Sequence, residues 1–301
     1  MKKIGFIGLG NMGMPMSSNL VKAGYDVYGS DINEKAEEAF QKLGGKIGVP
    51  VEELSGICEV IFTSLPSNKA AEAVYFADHG LIENSTKECI FVDTSTISPE
   101  LHQKIEKAIK EKNGHFLAAP VSGGVVGAVN KTLTFMAGGS KSVFEQASPV
   151  MKAMGENIFH ISEQVDSGTI TKLMNNLLIG YYTWGVAEAL TLAEKSGLDL
   201  KQLFEVLNVS YGQSRIYERN YESFIAKDDY NPGFTLKLLI KDLQFAMELS
   251  EQQQVELPLS KELLAKYQEA DTEGYGDLDM SIVYKMIQDR NSSNKEEERL
   301  V

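Results

Sequence analysis

The chain of 301 residues has two cysteines, four histidines and a deficit of positive charge, and each shortage removes a class of function. Cys58 and Cys89 lie in or near strand-like runs without CxxC spacing. They make no disulfide framework and read as a pair of reduced, buried thiols in a cytoplasmic protein. His79, His102, His115 and His160 are scattered without the spacing of metal ligands, so they read as structural or surface groups and no metal site is expected. With 29 Lys and Arg against 42 Asp and Glu, the net charge is −13, which argues against nucleic acid or an anionic membrane as partner. A small anionic substrate stays open, because one local lysine outweighs a distant negative field. No apolar stretch approaches the roughly 20 residues of a membrane span. The first strand-like run begins within a few residues of Met1, which leaves no room for a signal peptide.

What is present suits two domains: the length is sufficient and 43% of the residues are hydrophobic. Strand-like runs are expected at Ile4–Leu9, Asp26–Gly29, Val60–Ser64, Ile90–Asp93, Phe116–Ala119, Leu133–Ala137 and Asn157–His160. Helix-like stretches fall between them at Asn11–Ala23, Glu34–Leu43, Asn68–Phe76, Pro99–Lys112 and Lys141–Met154. Such alternation implies a mostly parallel sheet covered on both faces. From Gly168 to Ser196 the strand signal is gone, and Leu173, Leu177, Tyr181, Trp184 and Ala187 recur at helical spacing until Gly197 caps the run. The remainder reads as helices at Leu200–Leu207, near Tyr217–Ile225, and at Leu236–Gln252, Leu259–Ala270 and Ser281–Gln288. We therefore expect an α/β domain over 1–163, an all-α domain over 164–290 entered by a long helix, and a frayed polar tail over 291–301.

The run Gly8-Leu9-Gly10-Asn11-Met12-Gly13 stands directly behind Ile4-Gly5-Phe6-Ile7. A strand, a glycine turn and a helix start in this order make a dinucleotide cradle, in which the glycines permit a tight turn, close backbone approach and helix–strand packing. Asp31 follows Gly13 by 18 positions, where a carboxylate meets the adenine ribose and repels a 2′-phosphate. Ile32 and Asn33 come next and the nearest cation is Lys35, so NAD is favoured over NADP; the competing reading of Asp31 is a helix cap. Leu65-Pro66-Ser67 and Asp93-Thr94-Ser95-Thr96 follow strands, at the carboxyl ends where open α/β sheets bind ligands. Ala119-Pro120-Val121-Ser122-Gly123-Gly124 exposes consecutive N–H groups that could nest a carboxylate, though a flexible turn reads the same way. Lys172, Asn175 and Asn176 at i, i+3 and i+4 share one helix face, either as a chemical group or as a solvated polar stripe. Lys241 and Asp242 are mid-helix charges, ordinarily surface.

Taken together, these segments resemble the β-hydroxyacid dehydrogenase family, which includes 3-hydroxyisobutyrate dehydrogenases, tartronate semialdehyde reductases and glyoxylate/succinic semialdehyde reductases. The resemblance runs to about residue 290. It rests on Phe6 to Leu20, Asp93–Thr96, Ala119–Gly124, Gly168 with Thr171–Asn176, and Lys241-Asp242-Leu243. It implies a Rossmann-like N-terminal domain, a long connecting helix and an all-α domain, assembled as a homodimer or homotetramer. By position it implies Lys172 as the catalytic lysine, with Ser122, Gly123, Gly124, Asn175 and Asn176 at the substrate. Gly8, Gly10, Asn11, Met12, Gly13, Asp31, Leu65, Pro66 and Thr96 then belong to the cofactor, and Phe234, Lys241 and Asp242 close the site.

The chemistry implied is hydride transfer between NAD(H) and a small 3-hydroxy acid or its semialdehyde, with a lysine whose pKa lies near neutrality trading the proton. NADPH-dependent reduction of glyoxylate, succinic or sulfolactate semialdehyde is the alternative within the family. A lysine at 172 argues against the imine-reducing branch, and the acidic balance argues against a non-catalytic dinucleotide-binding scaffold. Arg215 and Arg219 read either as surface charges or as partners for a second anionic group on the substrate.

Overall fold

The computed structural model describes residues 2–83, 85 and 89–298, with backbone alone over 292–298. The chain divides into two compact units, Met1–Lys172 and Leu173–Val301.

In the first unit the elements run β1 (Lys3–Ile7), α1 (Gly13–Lys22), β2 (Asp26–Ser30), α2 (Glu34–Lys42), α3 (Leu54–Ile57), β3 (Val60–Thr63), α4 (Asn68–Phe76), β4 (Ile90–Asp93), α5 (Pro99–Glu111) and β5 (His115–Ala118). They continue with β6 (Val121–Ser122), α6 (Gly124–Asn130), β7 (Leu133–Gly138), α7 (Lys141–Met151), β8 (Gly155–Ser162) and the start of α8 (Ser167–Lys195). The sheet order is β2-β1-β3-β4-β5-β7-β6, with β8 on the other side of β7. The first five strands are mutually parallel, and β7 turns antiparallel to β5 and β6. β3 and β4 are buried at every position, as parallel strands covered by helices on both faces must be.

Successive side chains alternate between two cores. Val60 and Phe62 enter one with Phe6, Met16 and Leu20. Ile61 enters the other with Ile7, Phe91, Tyr75 and Ile105. The helices start where short oxygen-bearing side chains can cap them: Asn33, Ser67 and Ser98 accept from Lys35, Ala70 and Leu101 N–H, with Pro99 at the first position of α5.

The pairing register has one consequence for function. Ser30, Ile7, Thr63, Asp93 and Ala118 form a single row across the five parallel strands. The loops carrying the glycine turn, Asp31, Leu65–Pro66, Thr94–Thr96 and Pro120–Gly124 therefore all leave the sheet at one edge. β6 and α6 stand where the sequence suggested only a nest or flexible turn, and α3 was likewise unexpected. The two thiols are buried, and burial pushes Cys58 up to about 12 and Cys89 higher still.

The expected boundary at 163/164 marks where the strand pattern stops, whereas the compact units part inside α8. Its first turn belongs to the sheet: a Cβ on Gly168 would sit 2.0 Å from the Met136 carbonyl oxygen and 2.9 Å from that of Ala118. Only glycine lets the helix begin so close to β5 and β7.

The second unit holds the rest of α8 with α9 (Leu200–Leu207), α10 (Arg215–Ser223), α11 (Leu236–Gln252), α12 (Pro258–Ala270) and α13 (Val283–Glu298). The polar tail expected to fray is helical as far as Glu298; residues 299–301 lie outside the described residues. The core gathers Trp184, Phe204, Tyr217, Tyr221, Leu239 and Tyr267, with Phe204 stacked on Tyr221 at 4.4 Å.

Beside this core sits a fully buried carboxylate, Asp279. It accepts from Arg219 Nη1 at 2.7 Å, from the N–H groups of Gly233 and Phe234, and from Ser281 Oγ at 2.7 Å. Arg219 also lies over the Phe224 ring at 4.2 Å. It is thus neither a surface charge nor a hand held out for an anion, but the partner of a buried acid. Replacing Asp279 with alanine leaves the guanidinium and two loop N–H groups without their acceptor, so urea unfolding is expected to show a loss of about 3 kcal/mol or more.

Candidate active site

Three glycines build the turn after β1 for different reasons. Gly8 has φ +91°, and a Cβ there would fall 2.2 Å from the Ser64 carbonyl oxygen. A Cβ on Gly13 would meet the Gly8 carbonyl oxygen at 1.8 Å. Gly10 differs, since a Cβ there meets nothing within 4 Å. The space before it is open, and no steric demand of the fold requires glycine there. α1 begins at Gly13 behind Met12 with no side-chain cap, unlike α2, α4 and α5, and with no acidic residue in its first turn. An uncapped helix start facing open space at a glycine fits a pyrophosphate, which would take the N–H groups that a capping side chain otherwise satisfies.

Asp31 joins this turn directly. Its Oδ2 accepts from Leu9 N–H at 2.6 Å and its Oδ1 from Asn33 N–H at 2.8 Å. The cap of α2 is Asn33, so Asp31 is not the helix cap. The Glu37 carboxylate accepts from the Asp31 N–H at 3.0 Å, which places a second acid at the end of β2, while Ile32 is fully exposed.

The next two loops are cross-tied. Leu65 N–H donates to Ser95 Oγ at 2.8 Å, and Ser95 N–H donates to Asp93 Oδ1 at 2.8 Å. Thr94 Oγ1 donates to the Thr63 carbonyl at 2.7 Å. Asn68 and Ser98 exchange two hydrogen bonds beside them. Leu65 and Thr96 are half-buried and Pro66 is exposed, so the loop backbone is held while its rim stays accessible. In the following loop Gly123 and Gly124 have φ of +131° and +62°, which turn the chain from Ser122 into α6. Asn19, buried in α1, donates to the Ala128 carbonyl at 2.7 Å and ties α6 to the glycine-turn helix.

At the centre of the edge lies a chain of fully buried polar groups. His102 on α5 meets Asp93 through Nε2 at 3.2 Å and Thr169 through Nδ1 at 2.7 Å. Burial acts to raise the Asp93 carboxyl, but the His102 contact and charge, with two hydrogen bonds from Ser95, hold it below its usual value. A carboxylate only accepts, so Nε2 carries a ring proton, and Nδ1 pairs with the Thr169 hydroxyl. Thr169 is in the first turn of α8, and Lys172 follows one turn later with only 7% of its surface exposed.

In the second unit, Asn175 donates to Asn176 Oδ1 at 2.9 Å, and Asn176 donates in turn to Asp242 Oδ2 on α11. Lys241 Nζ lies 3.1 Å from Asp242 Oδ1 and 5.4 Å from the Phe245 ring centroid. Asn176 and Asp242 are buried, so they are neither part of a solvated polar stripe nor a surface charge. Phe234 belongs to the Asp279 hub. Among the described residues no group of three or more His, Cys, Asp or Glu side chains could hold a metal ion, and no helix is long and apolar enough to cross a membrane.

The turn and edge match the family model of the NAD-binding domain of 6-phosphogluconate dehydrogenase over residues 3–162, and the helical part matches that of NADP-dependent 3-hydroxyisobutyrate dehydrogenase over 166–287. The chain belongs to the β-hydroxyacid dehydrogenase family. It is 37% identical over 292 residues to a mitochondrial 3-hydroxyisobutyrate dehydrogenase of Drosophila melanogaster, covering 95% of this chain and 89% of that one. It is also 37% identical to a 2-(hydroxymethyl)glutarate dehydrogenase of Eubacterium barkeri, with 94% of each covered. A solved structure of Mycobacterium tuberculosis 3-hydroxyisobutyrate dehydrogenase with L-serine superposes with a TM-score of 0.87 at 32% identity, covering 96% of this chain and 99% of that one. This dehydrogenase is an NAD(P)-dependent oxidoreductase acting on the CH–OH group of a hydroxy acid.

Sequence reasoning named Ser95 and Asn19 only as members of their motifs and read His102 as structural or surface, missing their partners because each lies at least 30 residues away. For His102 the available signal was its place in the first turn of a Ser-Pro helix start, just past the acid that ends β4.

The three glycines separate fold from ligand experimentally. Gly10→Ala is expected to keep the thermal midpoint of the parent while weakening NADH binding about tenfold, or about 1.4 kcal/mol, in a fluorescence titration. Gly13→Ala, with its carbonyl clash, is expected to lower the midpoint itself.

Proposed function

We propose that this enzyme interconverts a small 3-hydroxy carboxylate and its semialdehyde with NAD(H), and that Lys172 is its general acid and base. The observation that carries the reading is a buried lysine on a helix turn packed against the carboxyl edge from which the glycine turn, Asp31 and the Leu65 and Thr96 loops emerge. Bound at that turn, the nicotinamide dinucleotide supplies the hydride or accepts it. Lys172 then gives a proton to the carbonyl oxygen in reduction, or takes it from the hydroxyl in oxidation. Ser122, Gly123 and Gly124 offer backbone and hydroxyl donors to the substrate carboxylate, with the Asn175 amide. Asn176, held by Asp242, fixes the helix face, and Lys241 and Phe234 belong to the closing side. Asp31 with Glu37 favours NAD over NADP, since a 2′-phosphate would meet two carboxylates.

The substrates in the names of the compared proteins share one chemistry. The hydroxy acids 3-hydroxyisobutyrate, 2-(hydroxymethyl)glutarate and L-serine are all HOCH2–CHR–COO⁻ and differ in R alone. In this chain Val125 and Val126 follow the carboxylate loop, and Arg219 is committed to Asp279, so neither offers a partner to a second carboxylate. A small uncharged R fits best. The units then divide the work, with 1–163 holding the nucleotide and 164–290 serving substrate and assembly. Two buried reduced thiols suit the cytoplasm.

The exposed face of α8 supports a homodimer or homotetramer. Met174, Leu178, Tyr182 and Leu192 are exposed and share one stripe with Gly185, which faces open space. Such an apolar stripe along a 29-residue helix calls for a partner. Light scattering on the eluting protein is expected to give a dimer or tetramer, and Leu178→Glu to give smaller species; a monomeric parent would refute the assignment.

For the chemistry, Lys172→Ala is expected to lower kcat about 10²–10⁴-fold while NADH still binds. Assays with 3-hydroxyisobutyrate, L-serine, 2-(hydroxymethyl)glutarate and glyoxylate, each with NAD(H) and NADP(H), should show the highest kcat/KM for the small uncharged R with NAD(H). Preference for the dicarboxylate or for NADP(H) would contradict the reading.

A further inference from the structure

The buried run Leu65–Ser95–Asp93–His102–Thr169 crosses from a loop at the cofactor edge to the first turn of α8. Every link is a hydrogen bond between groups that water does not reach at its centre: Asp93, His102 and Thr169 are fully buried. The links measure 2.8 Å from Leu65 N–H to Ser95 Oγ, 2.8 Å from Ser95 N–H to Asp93, 3.2 Å from His102 Nε2 to Asp93 and 2.7 Å between Thr169 and His102 Nδ1. Thr169 and Lys172 stand three residues apart on one helix face. Gly168 beside them sets the depth of the same turn through the Met136 and Ala118 carbonyls. Depth alone leaves rotation about the helix axis undetermined, and a hydrogen bond from a side chain one turn before the lysine fixes it.

We infer that His102 and Thr169 are positioning residues that set where Lys172 stands relative to the cofactor-side loop, acting through Asp93 and Ser95. The inference rests on the reading of Lys172 as the acid–base group. His102 does no chemistry on substrate in this scheme. Its two ring nitrogens measure out a fixed span between a carboxylate at the end of β4 and a hydroxyl on α8. Serine in place of threonine keeps that hydroxyl, and valine keeps the shape while removing it. A packing role would register both changes by volume; a positioning role registers the hydroxyl.

The test uses the full-length enzyme and a two-by-two set of variants. Thr169→Val is expected to lower kcat about tenfold, the order of loss that a small misplacement of a reacting group brings, with the NADH dissociation constant within about twofold of the parent. Thr169→Ser is expected to recover most of the rate. On the Lys172→Ala background Thr169→Val should change the residual rate less than about twofold, because the group it positions is gone. His102→Asn, which keeps a buried polar side chain of shorter reach, should reproduce the loss seen for Thr169→Val. Parental kcat in Thr169→Val, failure of Thr169→Ser to recover the rate, or an equal further loss on the Lys172→Ala background each overturns the inference. Parental kcat in Lys172→Ala is a different outcome: the acid–base reading itself falls, and the positioning role falls with it.

Discussion

Parallel strands buried on both faces leave chemistry nowhere to go but their ends, and in this enzyme the ends are level. One register row joins Ser30, Ile7, Thr63, Asp93 and Ala118, so five loops start at the same height. Everything else in the first unit elaborates that edge. The glycine turn leaves space above it, Asp31 and Glu37 bound it on one side, and α8 begins close against β5 and β7 at the other. The ladder that makes the sheet stable is also what brings the glycine turn at Gly8 and the loop at Gly124, more than 100 positions apart in the chain, to one edge.

The edge is held in two ways. Its rim is steric, made of glycines whose missing side chains let backbone meet backbone at Gly8, Gly13 and Gly168. Its interior is polar, a set of buried hydroxyl, imidazole and carboxylate groups whose hydrogen bonds are worth more in a dry interior and cost more to leave unmade. Sterics define depth and polar links define direction. The two together give a lysine a place that a flexible side chain on an ordinary helix would not keep.

How much of this could be read from the chain depended on whether the determinant was local. α4, α9 and α11 have the expected bounds because Ser67, Asp199 and Thr235 cap them from the preceding residue. The glycine turn was legible because its three glycines fall within six residues directly behind a strand, although the carbonyl that Gly8 must avoid is that of Ser64. β6 and α6 were not, since two residues paired on β7 and a short glycine-bearing helix tied to Asn19 are stabilised from elsewhere. α1 starts at Gly13 rather than at the expected Asn11, the difference being the residues that form the turn. In the site, Asp31 stood out as the acid at the end of β2, but its bond to Leu9 and its neighbour Glu37 did not. Asp242 looked like a surface charge because nothing adjacent in sequence announces that Asn176 will reach it.

The Asp279 hub bears on how the helical unit comes to exist. Its six donors come from residues 219, 233, 234 and 281, so the acid arrives some 45 to 60 positions after most of the groups it satisfies. On a ribosome, α10 and the loop before α11 emerge with a guanidinium and two backbone N–H groups waiting for an acceptor not yet made. The helical unit can form early secondary structure, but these groups find their acceptor only once Asp279 is delivered. The turn at Asp279, ahead of the final helix, is thus the clasp of this part of the unit, and its closure waits on groups 45 to 60 positions apart in the chain.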